Sequence, residues 1–241
     1  MRKTVTPYKE STDGKKDQVA TMFNNIAPKY DFLNHVLSMG IDIKWRNRVN
    51  KMLHSEKVES ILDIATGTGD LALTLHKENV KIKGLDISEG MLEVGRQKIK
   101  EKGLEKDIEF ILGDAENMPF PDNNFDAITV AFGVRNFANL EKGLKEMRRV
   151  LKPNGRVFVL EFSQPTSVPF KQIYNFYSRN ILPTIGRIIS NDKAAYTYLP
   201  ESVAAFPYGD EFLKIMNNCG FKENACRPVT MGIASIYSGK K

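Results

Sequence analysis

The stretch Ile61-Leu-Asp-Ile-Ala-Thr-Gly-Thr-Gly-Asp70 decides the fold. A short apolar run, Ser60 to Ile64, enters a glycine-rich turn, and a helical pattern follows near Asp70–His76. Gly67 and Gly69 let the backbone approach a ligand closely and adopt turn angles denied to other residues. The helix start behind them presents N–H groups with no partner inside the helix. Strand, tight turn and helix in that order open a βαβ unit, whose ligands gather outside the carboxyl end of the strand.

The alternation repeats outward from that turn. Val80 to Asp86 reads as a second strand, Gly90 to Lys102 as a helix, Ile108 to Leu112 as a third strand and Phe125 to Phe132 as a fourth. Leu140 to Leu151 is a helix that Pro153 and Gly155 terminate, and Arg156 to Phe162 is a fifth strand. Such a pattern means an α/β fold with a mostly parallel sheet covered on both faces. After Pro165 the alternation breaks. Residues 165–205 are rich in aromatics and carry Pro169, Pro183 and Pro200, which predicts a helical lid. Asp210–Asn218 reads as a helix, and Phe221–Pro228 and Met231–Ser238 as strands, the last entering the sheet antiparallel. At the other end, residues 1–17 read as a loose polar arm. Val19, Met22, Phe23 and Ile26 then mark an amphipathic helix that stops before Pro28, and a second helix runs from Trp45 to Leu53. The expected division is arm and cap helices over 1–54, cofactor core over 55–164, lid over 165–208, and a closing helix and strands over 209–241.

Composition narrows the function classes. A chain of 241 residues with 41% hydrophobic content can bury the core of one such domain. The net charge of +6 permits contact with an anionic membrane or nucleic acid, but the basic residues are scattered, as on a solvated surface. No RNA-binding module or concentrated basic stripe is recognisable, so no nucleic-acid partner is expected. Cys219 and Cys226 form no CxxC motif, and His35, His54 and His76 lie far apart. Neither a disulfide framework nor a metal site is expected, and a reducing cytoplasm is the default compartment. The amino terminus lacks the apolar stretch of a signal peptide, and no apolar run is long enough to span a bilayer.

Three carboxylates give the glycine turn its chemistry. Asp63 ends the first strand, where it can organise the loop and meet a ligand amine directly or through water. Asp86 ends the second strand, seventeen residues beyond Gly69, where a carboxylate can grip both ribose hydroxyls. Asp114 follows the third strand, placed to accept from an adenine amino group, with Ala115 offering its backbone N–H. A dinucleotide enzyme would show G-x-G-x-x-G, and the third glycine is missing. S-Adenosyl-L-methionine has no phosphate and needs close backbone contact plus acidic groups, which Gly67, Thr68, Gly69 and the three aspartates supply. Ala65 stands where the commonest methyltransferase loop has its first glycine. The reading is therefore a Rossmann-like class I S-adenosylmethionine-dependent methyltransferase, with a seven-stranded sheet and an antiparallel C-terminal strand.

Further stretches carry a resemblance: Met22-Phe-Asn-Asn-Ile-Ala-Pro-Lys-Tyr-Asp31, Asn34, Leu37-Ser38, Trp45-Arg46, Met118-Pro-Phe-Pro-Asp122, Phe132-Gly-Val-Arg-Asn136, Arg149-Val-Leu-Lys-Pro153 and Tyr196 to Pro207. Along nearly its full length the chain resembles the C-methyltransferases of menaquinone and ubiquinone biosynthesis. The resemblance implies methylation of a ring carbon on a polyprenylated quinol, most simply demethylmenaquinol to menaquinol. Alternatives are the polyprenyl-methoxybenzoquinol of ubiquinone synthesis, or a cofactor-binding scaffold without activity. It also implies that Arg135 stabilises a developing phenolate and Asn136 orients it, rather than Arg135 only pairing with a carboxylate. Tyr30 is the expected cofactor-side contact on the cap helix. Tyr174, Tyr177, Tyr196 and Tyr198 are the expected quinol contacts, within a lid that also holds Phe170 and Phe176. Peripheral contact with the inner face of the cell membrane and a homodimer are compatible with this reading.

Overall fold

The computed structural model describes residues 5–54, 57–165, 167–169, 171–172 and 193–241. Among them, seven strands form one sheet: β1 (Ser60–Ile64), β2 (Lys81–Asp86), β3 (Ile108–Leu112), β4 (Phe125–Ala131), β5 (Leu151–Phe162), β6 (Lys222–Val229) and β7 (Ala234–Lys240). Their order is β3-β2-β1-β4-β5-β7-β6. Strands β1 to β5 pair in parallel, whereas β7 runs antiparallel to both β5 and β6. This is the expected Rossmann-like sheet, with β7 entering antiparallel as the turn signals predict.

The helices are α1 (Lys15–Ile26), α2 (Tyr30–Ser38), α3 (Ile41–Leu53), α4 (Asp70–Leu75), α5 (Glu89–Glu101), α6 (Leu140–Val150), α7 (Lys193–Ala205) and α8 (Asp210–Asn218). Strand alternation assigns them to two layers. Ile128, Val130, Val157 and Val159 pack with Leu144 and Met147 of α6 and Phe212 and Met216 of α8. Phe158 and Leu160 point the other way, into a core with Trp45, Val49 and Leu53 of α3, Leu71 and Leu75 of α4 and Leu92 and Ile99 of α5. Phe110 is a wedge in that second layer. A Cβ added at Gly69, Gly84 or Gly95 would fall within 2.8 Å of its ring, so the close stacking of β2, α4 and α5 needs glycine at each position.

Two local expectations change. Residues 5–14 are docked rather than loose: Pro7 is buried and the Tyr8 N–H donates to Gln18 Oε1 at 2.9 Å. Apolar Val5 and Tyr8 pack against Val19, Met22 and Ile26 of α1 and Ala195 and Tyr198 of α7, which outweighs the polar character of their neighbours. Helix α1 stops at Ile26, before Pro28 as expected, and the cap continues because Pro28 falls in a 3-10 turn, Ala27–Lys29, from which α2 starts anew; proline at a first turn loses no needed N–H. Strand β5 also begins earlier, at Leu151, through pairing with Phe125 across an irregularity.

Candidate active site

A cleft opens at the carboxyl ends of the central strands, at the switch point between β1 and β4 where the strand order reverses. About 680 Å³ of space lies between its walls, part of it continuous with solvent, within the ~300–1,000 Å³ typical of small-molecule sites. Its floor comes from the turns after four strands: Ala65 and Gly67, then Asp86 and Ile87, then Gly113 to Glu116, then Ala131 to Gly133. Lys16, Val19 and Phe23 of α1, Tyr30 of α2 and Asn136 form the remaining wall.

The glycine turn is held by carboxylates from beneath and beside. Asp63 is 1% exposed and does not line the cleft. Its Oδ2 accepts from Thr66 Oγ1 at 2.7 Å and its Oδ1 from Thr129 Oγ1 at 2.6 Å, so it organises the loop, the first of its two expected roles. Asp86 Oδ2 accepts from the Gly67 N–H at 2.8 Å, and its Oδ1 from the Ser88 N–H at 2.8 Å. Burial raises its pKa against those two bonds. Gly67 and Gly69 have φ of +57° and +83°. Ala65 also sits in the left-handed region, at φ +51°, a conformation that costs a residue with a Cβ on the order of 1 kcal/mol. Gly133 makes room for it, since a Cβ there would meet the Ala65 Cβ at 2.5 Å. Thr68 and Gly69 lie behind the cleft wall, with Thr68 buried.

The cap helices close the cleft through charge. Lys16 Nζ lies 2.5 Å from Asp114 Oδ2, so the carboxylate expected at the adenine end already has a cation beside it. Asp114 Oδ1 accepts from the Glu116 N–H at 2.8 Å, which shapes the turn that carries Ala115. Glu116 in turn accepts from the N–H groups of Ala138 and Asn139 at 2.8 and 3.0 Å, tying two wall loops together. Lys15 Nζ donates to the carbonyls of Arg135 and Phe137 at 3.1 and 2.9 Å. Burial, and then the Arg135 charge, push its ammonium down to about 8. Tyr30 faces Gly67 across 4.0 Å of contact to a Cβ built there. Beside it, Asp31 accepts from Thr68 Oγ1 at 2.5 Å and pairs with Lys98. Lys98 bridges on to Asp70 at 2.8 Å, Asp70 to Arg46 at 3.1 Å, and Arg46 to Asp42 at 2.5 Å. One network of alternating charge thus joins α2, α3 and α5 to the glycine turn.

The acceptor end is aromatic. Phe132 and Phe162 stack with ring centroids 4.5 Å apart, and Trp45 meets both at 6.0 and 6.3 Å. Arg135 lies beside them, its guanidinium 5.4 Å from the Phe162 centroid. It donates from Nη1 to the Phe132 carbonyl and to Glu161 Oε1, the latter at 2.8 Å. Glu161 is fully buried on β5, and burial raises its pKa against the pull of Arg135. Arg135 therefore does pair with a carboxylate, and its Nε is buried with no hydrogen-bond partner among the described residues. Asn136 lines the cleft and accepts from Tyr198 OH at 3.1 Å. Tyr198 is 3% exposed, and burial pushes its hydroxyl up to about 12, so it acts as a neutral donor that fixes Asn136. Tyr174 and Tyr177 lie outside the described residues, as do Phe170 and Phe176, and so does the side chain of Tyr196.

Residue-level reading assigned no role to Glu161, Lys15, Lys16, Asp31 or Lys98. Glu161 had a visible signal, a lone carboxylate inside the apolar run Val157–Phe162, which burial forces to find a partner. Lys15 and Lys16 had none, because their targets lie 120 and 98 residues away in sequence. Among the described residues, no group of three or more His, Cys, Asp or Glu side chains is arranged to hold a metal.

The ubiE/COQ5 methyltransferase family model matches residues 11–241. The chain belongs to the ubiE/COQ5 methyltransferase family. It is 47% identical over 240 residues to a demethylmenaquinone methyltransferase of Bacteroides fragilis, covering 98% of this chain and 97% of that one. It is 45% identical to the ubiquinone/menaquinone biosynthesis C-methyltransferase UbiE of Geobacter sulfurreducens, covering 98% and 93%. A SAM-dependent methyltransferase from Thermotoga maritima shares the fold at a TM-score of 0.67 and 19% identity, over 92% of this chain and 99% of that one. In this ubiE/COQ5 family member S-adenosyl-L-methionine is the methyl donor. The donor set fits it: a carboxylate at a strand end for a ribose, an acidic turn for an amine, apolar Leu85, Ile87 and Met91 for a flat base, and, among the described residues lining the cleft, a single cation, Lys16, already paired with Asp114.

Asp63 makes one consequence measurable. Its carboxyl is raised from 3.8 to about 6, first by burial. A folded value above the unfolded one favours the protonated form, so this contribution to stability is full below 3.8 and lost as pH rises through about 6. Between those limits the cofactor-free protein should lose on the order of 3 kcal/mol relative to Asp63→Asn. Urea midpoints of both proteins across this range test it; a constant difference would show that Asp63 does not titrate there.

Proposed function

We propose that this chain methylates a ring carbon of a polyprenylated quinol, converting demethylmenaquinol to menaquinol, at the inner face of the cell membrane. The observation that carries the reading is the continuity of the cleft. Its cofactor floor, Gly67, Asp86 and Ala115, runs without a break into Phe132, Gly133 and Asn136, beside Arg135 and the Phe162 and Trp45 rings. An aromatic wall with a few polar tips suits a flat, lipophilic ring with hydroxyls. The names of the Bacteroides and Geobacter relatives support the same substrate class.

When bound, S-adenosyl-L-methionine would supply an electrophilic methyl to the ring carbon, with the sulfur leaving as a neutral thioether and the displaced ring proton passing to solvent. The protein's task is alignment, which can contribute roughly 7–11 kcal/mol at best, and activation of the ring. A phenolic hydroxyl loses its proton near about 10. Arg135, held in place by Glu161, presents positive charge where a phenolate would form, and the guanidinium N–H groups not spent on Glu161 can face that oxygen. Asn136, fixed by Tyr198, offers its amide to orient the same group. Phe132 backs the ring.

The test is methyl transfer from labelled S-adenosyl-L-methionine to demethylmenaquinol and, in parallel, to the ubiquinone-pathway benzoquinol. Quinones are also profiled by mass spectrometry after deletion of the gene. Turnover of demethylmenaquinol and its accumulation in the deletion strain are expected. Methylation of the benzoquinol alone would move the substrate to the other pathway. Tight cofactor binding with no transfer to either would leave a scaffold.

A further inference from the structure

We infer that the outer face of α2 and α3 docks on an anionic lipid bilayer and brings the acceptor end of the cleft to the membrane surface. Phe32 and Met39 are 61% and 78% exposed, and Ile43 is 48% exposed. Phe32 stands on α2, and Met39 lies in the left-handed turn between α2 and α3. Ile43 follows Met39 by four residues at the start of α3. Single exposed apolar residues are ordinary, but three within one twelve-residue stretch form a contact surface.

Charge selects the partner. From Phe32 to Lys51 the sole acid is Asp42, which is 3% exposed and paired with Arg46. Lys44, Arg48 and Lys51 are exposed and spaced by four and three residues, one stripe along the helix side opposite buried Trp45, Val49 and Leu53. Apolar side chains next to an unbalanced basic stripe match a surface whose headgroups are anionic and whose interior is hydrocarbon. An exposed α3 designed only for water would carry acids among those cations. The position also fits, because Trp45 packs against Phe132, which lines the cleft. The benefit to catalysis rests on the quinol reading above, since a lipophilic acceptor partitions into the bilayer; the docking itself does not.

The experiment is flotation of the full chain with vesicles of phosphatidylcholine, alone and with phosphatidylglycerol added. Binding to the phosphatidylglycerol vesicles, weakening as salt is raised, is expected. The triple variants Phe32→Ser/Met39→Ser/Ile43→Ser and Lys44→Glu/Arg48→Glu/Lys51→Glu should each lose at least about tenfold in lipid affinity. Their affinity for S-adenosyl-L-methionine and their turnover of a tailless, water-soluble quinol should stay unchanged, which shows that the fold is intact. Absence of lipid binding by the wild type, or equal binding by both variants, would overturn the inference. So would a wild-type dimer that the serine variant dissociates without altered lipid binding, which would assign the face to a second copy. Lipid binding without methylation of any quinol would instead remove the substrate reading and leave the docking surface standing.

Discussion

Replacing Asp86 by alanine should weaken S-adenosyl-L-methionine binding by about two orders of magnitude or more, measured by calorimetric titration. A hydrogen bond to a charged group is worth roughly 1.5–3 kcal/mol, and a carboxylate on two ribose hydroxyls makes a pair of them. The structure adds a second loss, because Asp86 also accepts from the N–H groups of Gly67 and Ser88 at 2.8 Å each. Without it the glycine turn and the start of α5 lose a shared anchor. The contributions separate with a cofactor analogue lacking the 2′-hydroxyl. Wild type should bind that analogue more weakly than the parent, whereas Asp86→Ala should not distinguish the two. A variant that still discriminates between them would place the ribose elsewhere.

The second large effect is on turnover. Arg135→Ala should lower kcat by roughly 10²–10³-fold, the usual loss when a group stabilising developing negative charge is removed, with cofactor affinity nearly unchanged. Glu161 complicates this variant. Fully buried and paired with Arg135 at 2.8 Å, it would be left as an uncompensated charge, at a cost of roughly 3–5 kcal/mol in stability. The double variant Arg135→Ala/Glu161→Gln removes that cost and should recover thermal stability while kcat stays low. Recovery of turnover in the double variant would reduce Arg135 to a structural partner of Glu161. Arg135→Lys offers a further readout: it keeps the charge but not the planar guanidinium that lies 5.4 Å from the Phe162 ring centroid, so an intermediate kcat is expected.

These two experiments differ in how far their logic could be read before the structure. Asp86 stood out by place, at the end of an apolar run and at a fixed distance from the glycine turn. Its partners are local in the fold, so strand periodicity was enough to find it. The five central strands were legible for the same reason: burial on both faces demands continuous apolar runs, and Gly and Pro mark their ends. The cap was less legible. Pro28 marked where α1 stops but not that a 3-10 turn lets α2 follow directly, and the docked arm depends on packing against α7 from the far end of the chain.

The glycine turn by itself determined that a backbone comes close to a ligand at a strand end, and with Asp63, Asp86 and Asp114 it determined which kind of ligand. Tertiary structure alone decided the division of labour among them. Asp63 is beneath the floor on Thr66 and Thr129, Asp86 is in the floor, and Asp114 is already met by Lys16. It alone also paired Arg135 with Glu161 and strung Asp31, Lys98, Asp70, Arg46 and Asp42 into one network. Periodicity reports which face of an element is buried. A buried charge must be paired across elements, and that partner is chosen by how the helices pack.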